Sequence, residues 1–485
     1  MSQDFGLITD GAATVTNANA YYEGRVTGPL AAVRQIPIRP EEDRRVQRQL
    51  GEIVIANGDG ELDPVVKSYA VDGRQVRVLY GPLMAPYGKF KVIADAVATG
   101  WESNDLEVRL QIRDRSFNLD LPLQTNLYEG TGGIEGTSGL TGAPVPLTWG
   151  RVRNIAPLLI DPTNLVFQFH DGQVEAVDDV FDRGLALTAG SDRADYATLI
   201  GATIGAGEYD TCIALGLFRL GSSPSGLITA DVQGDAAGEY INTLDTIALR
   251  ILETWAGLDP NLIDSSTFAG AAAIGGEIGI HVTAGQTPTT SDIMNTLFRS
   301  TAGWWGAARD GHIRAGRLTA PEDRTPALYL DQFNSLSVEP DTTPPVRWRQ
   351  RIAYRPNWVV QRGEDLAGGV TDARRQLLAQ QALGVTAADA VVKSRHLNAE
   401  DPDPLLSFYE NEADALTLAS FLLGLLSPDR EIVRVAVKRL GYKLDLQQVV
   451  HLTWPRLGLQ NGKQFSVVGI EEDAVNDTTI LRLWG

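Results

Sequence analysis

"YAVDGRQVRVLYGPLMAPYGKF" (Tyr69–Phe90) and "YKLDLQQVVHLTWPRLGLQNGKQF" (Tyr442–Phe465) decide the fold, because the second reads as a copy of the first. Tyr69 falls opposite Tyr442, Asp72 opposite Asp445, and Gln75-Val76 opposite Gln448-Val449. Leu79 and Pro82 meet Leu452 and Pro455 without a gap, and two single-residue insertions later Gly88-Lys89 and Phe90 meet Gly462-Lys463 and Phe465. Downstream, "NDLEVRL" from Asn104 is answered by "NDTTILRL" from Asn476, so residues 69–110 are repeated at 442–483. Both copies alternate apolar and polar residues, the period of a half-buried strand. Two copies are too few for a solenoid. They predict two similar β-barrels or sheets, one at each end of the chain.

A length of 485 residues corresponds to about three domains of ordinary size. A hydrophobic share of 43% allows each a core, and 49 glycines without a fixed period point to many turns and short strands. The formal charge of −19 argues against sequence-specific binding to DNA, which needs a basic footprint. Cys212 is the single cysteine, which leaves no internal disulfide framework and no CxxC site. The opening "MSQDFGLITDG" has neither a basic nor an apolar signal-peptide region, so a soluble chain made in a reducing compartment is expected.

The chain between the copies changes character. "RRVQRQLGEIVIANGDG" is a long β-rich run, and "LVFQFHDGQVEAV" predicts a hairpin with a type I′ turn at Asp171-Gly172. "EYINTLDTIALRILETWAGL" sets Ile241, Leu244, Ile247, Ala248 and Ile251 at helical spacing. "TSDIMNTLFRSTAGWWG" predicts a helix capped by Thr290 or Ser291, followed by a hairpin turning at Asp310-Gly311. Proline-rich stretches from 322 mark a boundary, "VRWRQRIAYRPNWVVQ" reads as a strand, and helices are expected at 371–383 and 411–426. The division expected is a first β-barrel module over 1–125, a glycine-rich arm with a hairpin extension over 126–190, an α+β region over 191–325, and a second barrel module with flanking helices over 326–485. The fold class is mainly β with α+β insertions.

No catalytic, cofactor-binding or metal-ligating residue is assigned. "GTGGIEGTSGLTGAP" (Gly130–Pro144) lacks the GxxxxGK[ST] of a phosphate loop, and Pro144 and Pro146 stop a helix from starting. "GLQNGKQF" at Gly458 has the wrong spacing and reads as a turn at Asn461-Gly462, and "IGAGEYD" offers GxG alone. "NGDGELD" at Asn57 has Leu62 and Ser68 where a calcium loop needs glycine and glutamate. His170, His281, His312, His396 and His451 are scattered, so a zinc site would need tertiary assembly. Cys212 reads as a small buried hydrophobe, Trp304-Trp305 as core rather than a sugar platform, and Glu41-Glu42-Asp43 and Glu471-Glu472-Asp473 as solvated turns.

The phrases "GEIVIANGDGELDP", "IRDRSFNLDLPLQTNLYEGTGG", "PLTWGRVRNIAPLLID", "FRLGSSPSGLITADVQG", "IAYRPNWVVQ" and "VVHLTWPRLGLQNGKQFSVVGIEED" resemble the tail-tip (baseplate) hub proteins of long-tailed bacteriophages, the Mu-like phages with flexible tails in particular. The resemblance is spread from about residue 45 to the end as short phrases. It implies a non-enzymatic structural virion protein, a homotrimer with two barrels per subunit, adapting a six-fold tube to a three-fold spike or fibre. The implied partners are a distal ring or tube protein above, a spike or receptor-binding fibre below, and the tape-measure protein and transiting DNA in the lumen. The implied place is the tail tip of the virion, assembled in the host cytoplasm, with no cofactor. Under this reading 130–142 is an extended arm or loop held by a neighbouring subunit or ring protein. The alternatives are a hexameric distal ring protein and a tail-associated hydrolase of cell wall or glycan. One barrel per chain suffices for the ring, and turnover on cell wall would mark the hydrolase.

Overall fold

The computed structural model describes residues 7–8, 21–81, 87–322, 324–438, 443–473 and 476–485. Tyr442 and Pro82, two positions of the repeat, lie outside them. The chain is mainly β.

In the first part, strands β1 (Val26–Gly28), β2 (Ala31–Gln35), β3 (Gln47–Leu50), β4 (Glu52–Ala56), β5 (Gln75–Tyr80), β6 (Lys91–Ser103) and β7 (Glu107–Arg113) follow one another. Five of them make one antiparallel sheet in the order β1-β4-β7-β6-β5. The other two leave it. The β-rich run breaks at Gly51, where Cβ would stand 3.2 Å from the Ala31 carbonyl, and β2 and β3 join the sheet at the far end of the chain.

The middle is a β-sandwich. Its strands are β8 (Leu147–Ile155), β9 (Leu158–Asp161), β10 (Val166–Gln168), β11 (Val174–Asp182), β12 (Leu185–Ala186), β13 (Thr188–Asp192), β14 (Glu208–Cys212), β15 (Leu217–Leu220), β16 (Ile228–Asp235) and β17 (Gly279–Val282). They form two sheets, β12-β11-β16-β8-β17 and β9-β10-β15-β14-β13. Phe167, Tyr209 and Phe218 of one sheet and Val152, Val180, Ala230 and Val232 of the other fill one buried core. The hairpin expected at Asp171-Gly172 is therefore not formed, since β10 and β11 belong to different sheets. The turn chemistry serves a corner instead. Gln124 and Asn126 donate to the Asp171 carboxylate, and Gly172 takes φ +115°. The boundary expected at 190 cuts through β13, and the sandwich continues past it.

Helix α1 (Leu244–Arg250) buries Leu244, Ile247 and Ala248, the periodic positions read from the sequence. Helix α2 (Thr290–Ser300) is capped one residue earlier than expected, because Thr289 and Asp292 close a reciprocal capping box. Strands β18 (Gly303–Ala307) and β19 (Ile313–Arg317) form the hairpin turning at Gly311, φ +82°.

The final sheet uses β20 (Leu328–Leu330) and β21 (Ser335–Pro340). Strands β22 (Arg349–Tyr354), β23 (Leu383–Ala388) and β24 (Leu405–Leu406) make a separate sheet, followed by helix α3 (Glu412–Leu426). Strands β25 (Ile432–Lys438), β26 (Val449–Leu452), β27 (Lys463–Asp473) and β28 (Thr478–Trp484) complete the final sheet, in the order β20-β26-β27-β28-β25-β21. Its end strands β20 and β21 are joined by Asp331 to Asn334, a span of roughly 18 Å at full extension. The sheet must curl to bring its edges that close, giving a half-barrel around Phe465, Val467, Leu481 and Leu483. Helix α3 buries Ala415, Leu418, Ala419 and Leu422 along one face, and Leu425 packs with Val468 and Trp484 of the final sheet.

Candidate functional site

The two sheets share more than composition. The order β1-β4-β7-β6-β5 recurs as β21-β25-β28-β27-β26, and every neighbouring pair in both is antiparallel. Both carry a bulge between the first two strands, at Val26/Gly28 and at Ser335/Ser337. Both carry another in the long hairpin, at Ala98/Gly100 and at Val467/Gly469.

The ladders also fix the register, and it is not the register of the sequence identities. In the first sheet Gly73 N–H donates to Ala98 O, and Arg74 N–H to Val71 O. In the last, Gln447 N–H donates to Val467 O, and Gln448 N–H to Asp445 O. Gly73 (φ +75°) thus stands where Gln447 (φ +65°) does, and Val71 where Asp445 does. Val76, facing Ala96, corresponds to Val450, facing Phe465. The gapless alignment of Val76 with Val449 is one residue out, a slip that would turn the core face outward.

The sheets meet through β2, which lies along β27 from Gln35↔Gly469 to Ala31↔Asp473. Arg34, 2% exposed, reaches Asp445 at 2.7 Å, and Arg314 reaches the same carboxylate at 3.1 Å. Burial works to raise the Asp445 carboxyl, but the charge and hydrogen bond of Arg34 outweigh it and hold the group below its ordinary value. Arg309 pairs with Glu472 and offers its backbone carbonyl to Asp95 N–H at 2.9 Å, while Tyr80 donates to Asp477 at 2.7 Å. A cleft of about 460 Å³, lined by Arg45, Arg48, Arg113, Asp114 and Asp120 among others, opens beside β3 and the end of β7. Burial pushes the Arg48 guanidinium down to about 10.

The glycine run is folded on its own chain rather than extended. Gly130, Gly132, Gly133, Gly136 and Gly142 all take positive φ, between +63° and +101°, which explains the residue type. Gly130 N–H donates to Glu135 O, Gly132 to Gly136 O and Gly142 to Tyr128 O. Ile134, Leu140 and Ala143 pack on Tyr128, Val145, Ile160 and Leu199. Within the same cluster Cys212 is fully buried, and burial raises its thiol.

Asn57 is spent on its own turn, accepting from Leu62 N–H and donating to Asp63, while Asp59 and Glu61 pair with Arg25. Trp304 and Trp305 are core, Trp305 donating to Asn295 at 2.9 Å. Glu472 is buried against Arg309 rather than solvated.

The structure also unites two histidines that the sequence leaves far apart. Thr148 N–H donates to His170 Nδ1 at 3.0 Å, and its hydroxyl, which donates to Phe169 O at 2.7 Å, lies 2.8 Å from His281 Nδ1. The hydroxyl's proton is committed to the carbonyl, so His281 carries hydrogen on Nδ1 and His170 on Nε2. Burial holds both imidazoles neutral, with pKa values lowered to about 3 for His170 and about 4 for His281. Thr148 is sealed from solvent, so the trio staples β8, β17 and the chain after β10. Its signal lay only in tertiary contact. Among the described residues no group of three metal-ligating side chains converges. A smaller cavity of about 240 Å³ is lined by Arg153, Asp231, Arg355 and Arg374, with Arg153 on Asp231 and Glu410 and Arg374 over the Phe181 ring.

No family model matches the chain, and no curated protein matches it by sequence. Among solved structures it is similar to the 43 kDa tail protein of prophage MuSo2 from Shewanella oneidensis, at 9% identity over 96% of each chain, TM-score 0.39. It is similar to a tail protein from Neisseria meningitidis MC58, at 12% identity over 95% of each chain, TM-score 0.38. It is also similar to a chain of a native gene transfer agent virion, at 14% identity over 71% of this chain and 84% of that one, TM-score 0.45.

Proposed function

We propose that the chain is a structural component of a phage tail, the hub of the tail tip, in which three copies present six similar sheets to a six-fold tube and close on a three-fold spike or fibre. The observation that carries this reading is the recurrence, within one chain, of five strands in the same order and direction with bulges at the same two places. A bulge is a specific local device, and two coincident bulges favour duplication of one module over chance convergence. A duplicated module is how a three-fold assembly matches a six-fold neighbour. The sequence resemblance to tail-tip hubs points the same way. The sandwich and the helical region between the sheets need not follow the six-fold. Under this reading the protein works by assembly, its partners are the ring or tube above and the spike below, and its place is the virion.

The test is the mass of the purified protein in solution by native mass spectrometry. Three times 52.4 kDa is expected. A hexamer would favour a distal ring, and a monomer with turnover on purified cell wall would favour a hydrolase.

A further inference from the structure

The two sheets differ at one edge. Beyond the bulge in β27, the stretch Gly469–Asp473 is covered by β2, a strand sent over from the first sheet's β1–β4 connection. By ladder register the counterpart of Gly469–Glu472 is Gly100–Ser103 of β6. There β5 has already ended its pairing at Val97, and among the described residues no strand pairs with the outer side of Gly100–Ser103. The glycines tell the same difference. A Cβ on Gly469 would meet Arg482 Cβ at 3.0 Å and the Arg34 carbonyl at 3.7 Å, whereas one on Gly100 would meet nothing within 4 Å. Glycine inside a strand marks a bulge or the close approach of another backbone. The edge carries neither proline nor lysine, and Glu102 is its one charged residue. Tyr69, beneath Arg74 at the turn that abuts Ala98, is 53% exposed beside it.

We infer that Gly100–Ser103 is a strand-addition edge occupied, in the assembly, by a strand of a second copy of this chain. The intramolecular junction is heterologous, because a strand leaving one sheet seats on the long hairpin of the other. Repeating that junction between copies joins the second sheet of one chain to the first sheet of the next, and such a head-to-tail contact closes into a ring when the rotation allows. The main-chain hydrogen bonds of the added strand supply the affinity, and the exposed ring of Tyr69 supplies apolar area to bury.

This inference rests on the assembly reading, and hydrogen exchange separates the two. Exchange is measured by mass spectrometry on peptides spanning Val97–Asn104, in the wild-type assembly and in the monomer obtained on dilution. The expected result is a trimer in which the outward amides of Gly100–Ser103 exchange at least about tenfold more slowly than in the monomer. A trimer with equal exchange in both states would overturn the edge assignment and leave the hub reading standing. Protection already present in the monomer would overturn it too, by showing that the chain covers its own edge. A protein that stays monomeric at every concentration would overturn both. Ser103→Pro, which removes an outward-facing edge donor, is expected to lower the trimer's stability to dilution at least about tenfold while circular dichroism of the monomer is unchanged.

Discussion

The first and last sheets are built to one plan and stabilised by different means. At the core position paired with β26 the last sheet has Phe465, and at the equivalent position paired with β5 the first has Ala96. At the next inward position Val467 stands against Leu483, and in the first sheet Ala98 stands against Ile112. The last sheet is thus a bulky, closed core with a strand from elsewhere laid on its edge. The first is thin, alanine-lined and open along the same edge. The difference teaches that a repeated topology can be kept while one copy is packed for stability and the other is left to gain it from a neighbour.

That contrast can be broken at its strongest point. Phe465→Ala empties the last core and is expected to cost about 3–5 kcal/mol in denaturant unfolding, whereas Ala96→Gly in the first sheet should cost about 1 kcal/mol. Equal losses would mean that the two cores are not packed differently. Next in size is the strand that joins them. Arg34→Met should cost about 2–3 kcal/mol, because Asp445 stays partly buried with Arg314 as its remaining partner. Its loss should also speed proteolysis within residues 31–50. A neutral result would show that β2 is held by its ladder alone.

The pH response sharpens the comparison from outside both sheets. His170 and His281 take up protons in the unfolded chain below about 6.5 but, being buried, stay neutral in the fold until about 3 and about 4 respectively, with His281 and Arg250 nearby also opposing a charge on His170. Their contribution to stability is complete above pH 6.5 and is lost as pH falls through that window, by about 1.4 kcal/mol per pH unit for each. His170→Asn should flatten the slope of stability between pH 6.5 and 4. The transition lost first on acidification should be that of the sandwich and helical region, seen by tryptophan fluorescence. The smallest effect tests the turn register. Gly73→Gln should cost about 1 kcal/mol, since it places a side chain at positive φ as Gln447 already is, without the bond Gln447 makes to the Arg317 carbonyl. No effect from that substitution would undo the equivalence of Gly73 and Gln447.

Much of this was legible in the residues. The helical spacing of Leu244, Ile247 and Ala248 announces its helix, and the hydroxyl residues Thr290 and Ser291 place the start of the next to within one residue, because those signals are local. The repeat was visible but misaligned, by one residue at Val76 and by six at Phe90, which the identities set opposite Phe465 where the ladders set Ala96. Identities such as Asp72 with Asp445 attract the eye, while the register is set by which side chains face the core. Asp171-Gly172 has the chemistry of a hairpin and forms a corner between sheets, a choice made by the partners of β10 and β11 far away in the chain. The glycine run reads as an extended arm or loop, yet its positive-φ turns bond to one another. The buried histidines and the open edge at Gly100 depend wholly on tertiary neighbours, so no local pattern could have revealed them.

The most direct measurement of the central claim is the rotational symmetry of the purified assembly by electron microscopy. The account predicts a ring with true three-fold symmetry whose rim shows six similar β densities, two from each chain. A true six-fold ring, with one copy of the chain per density, would contradict it.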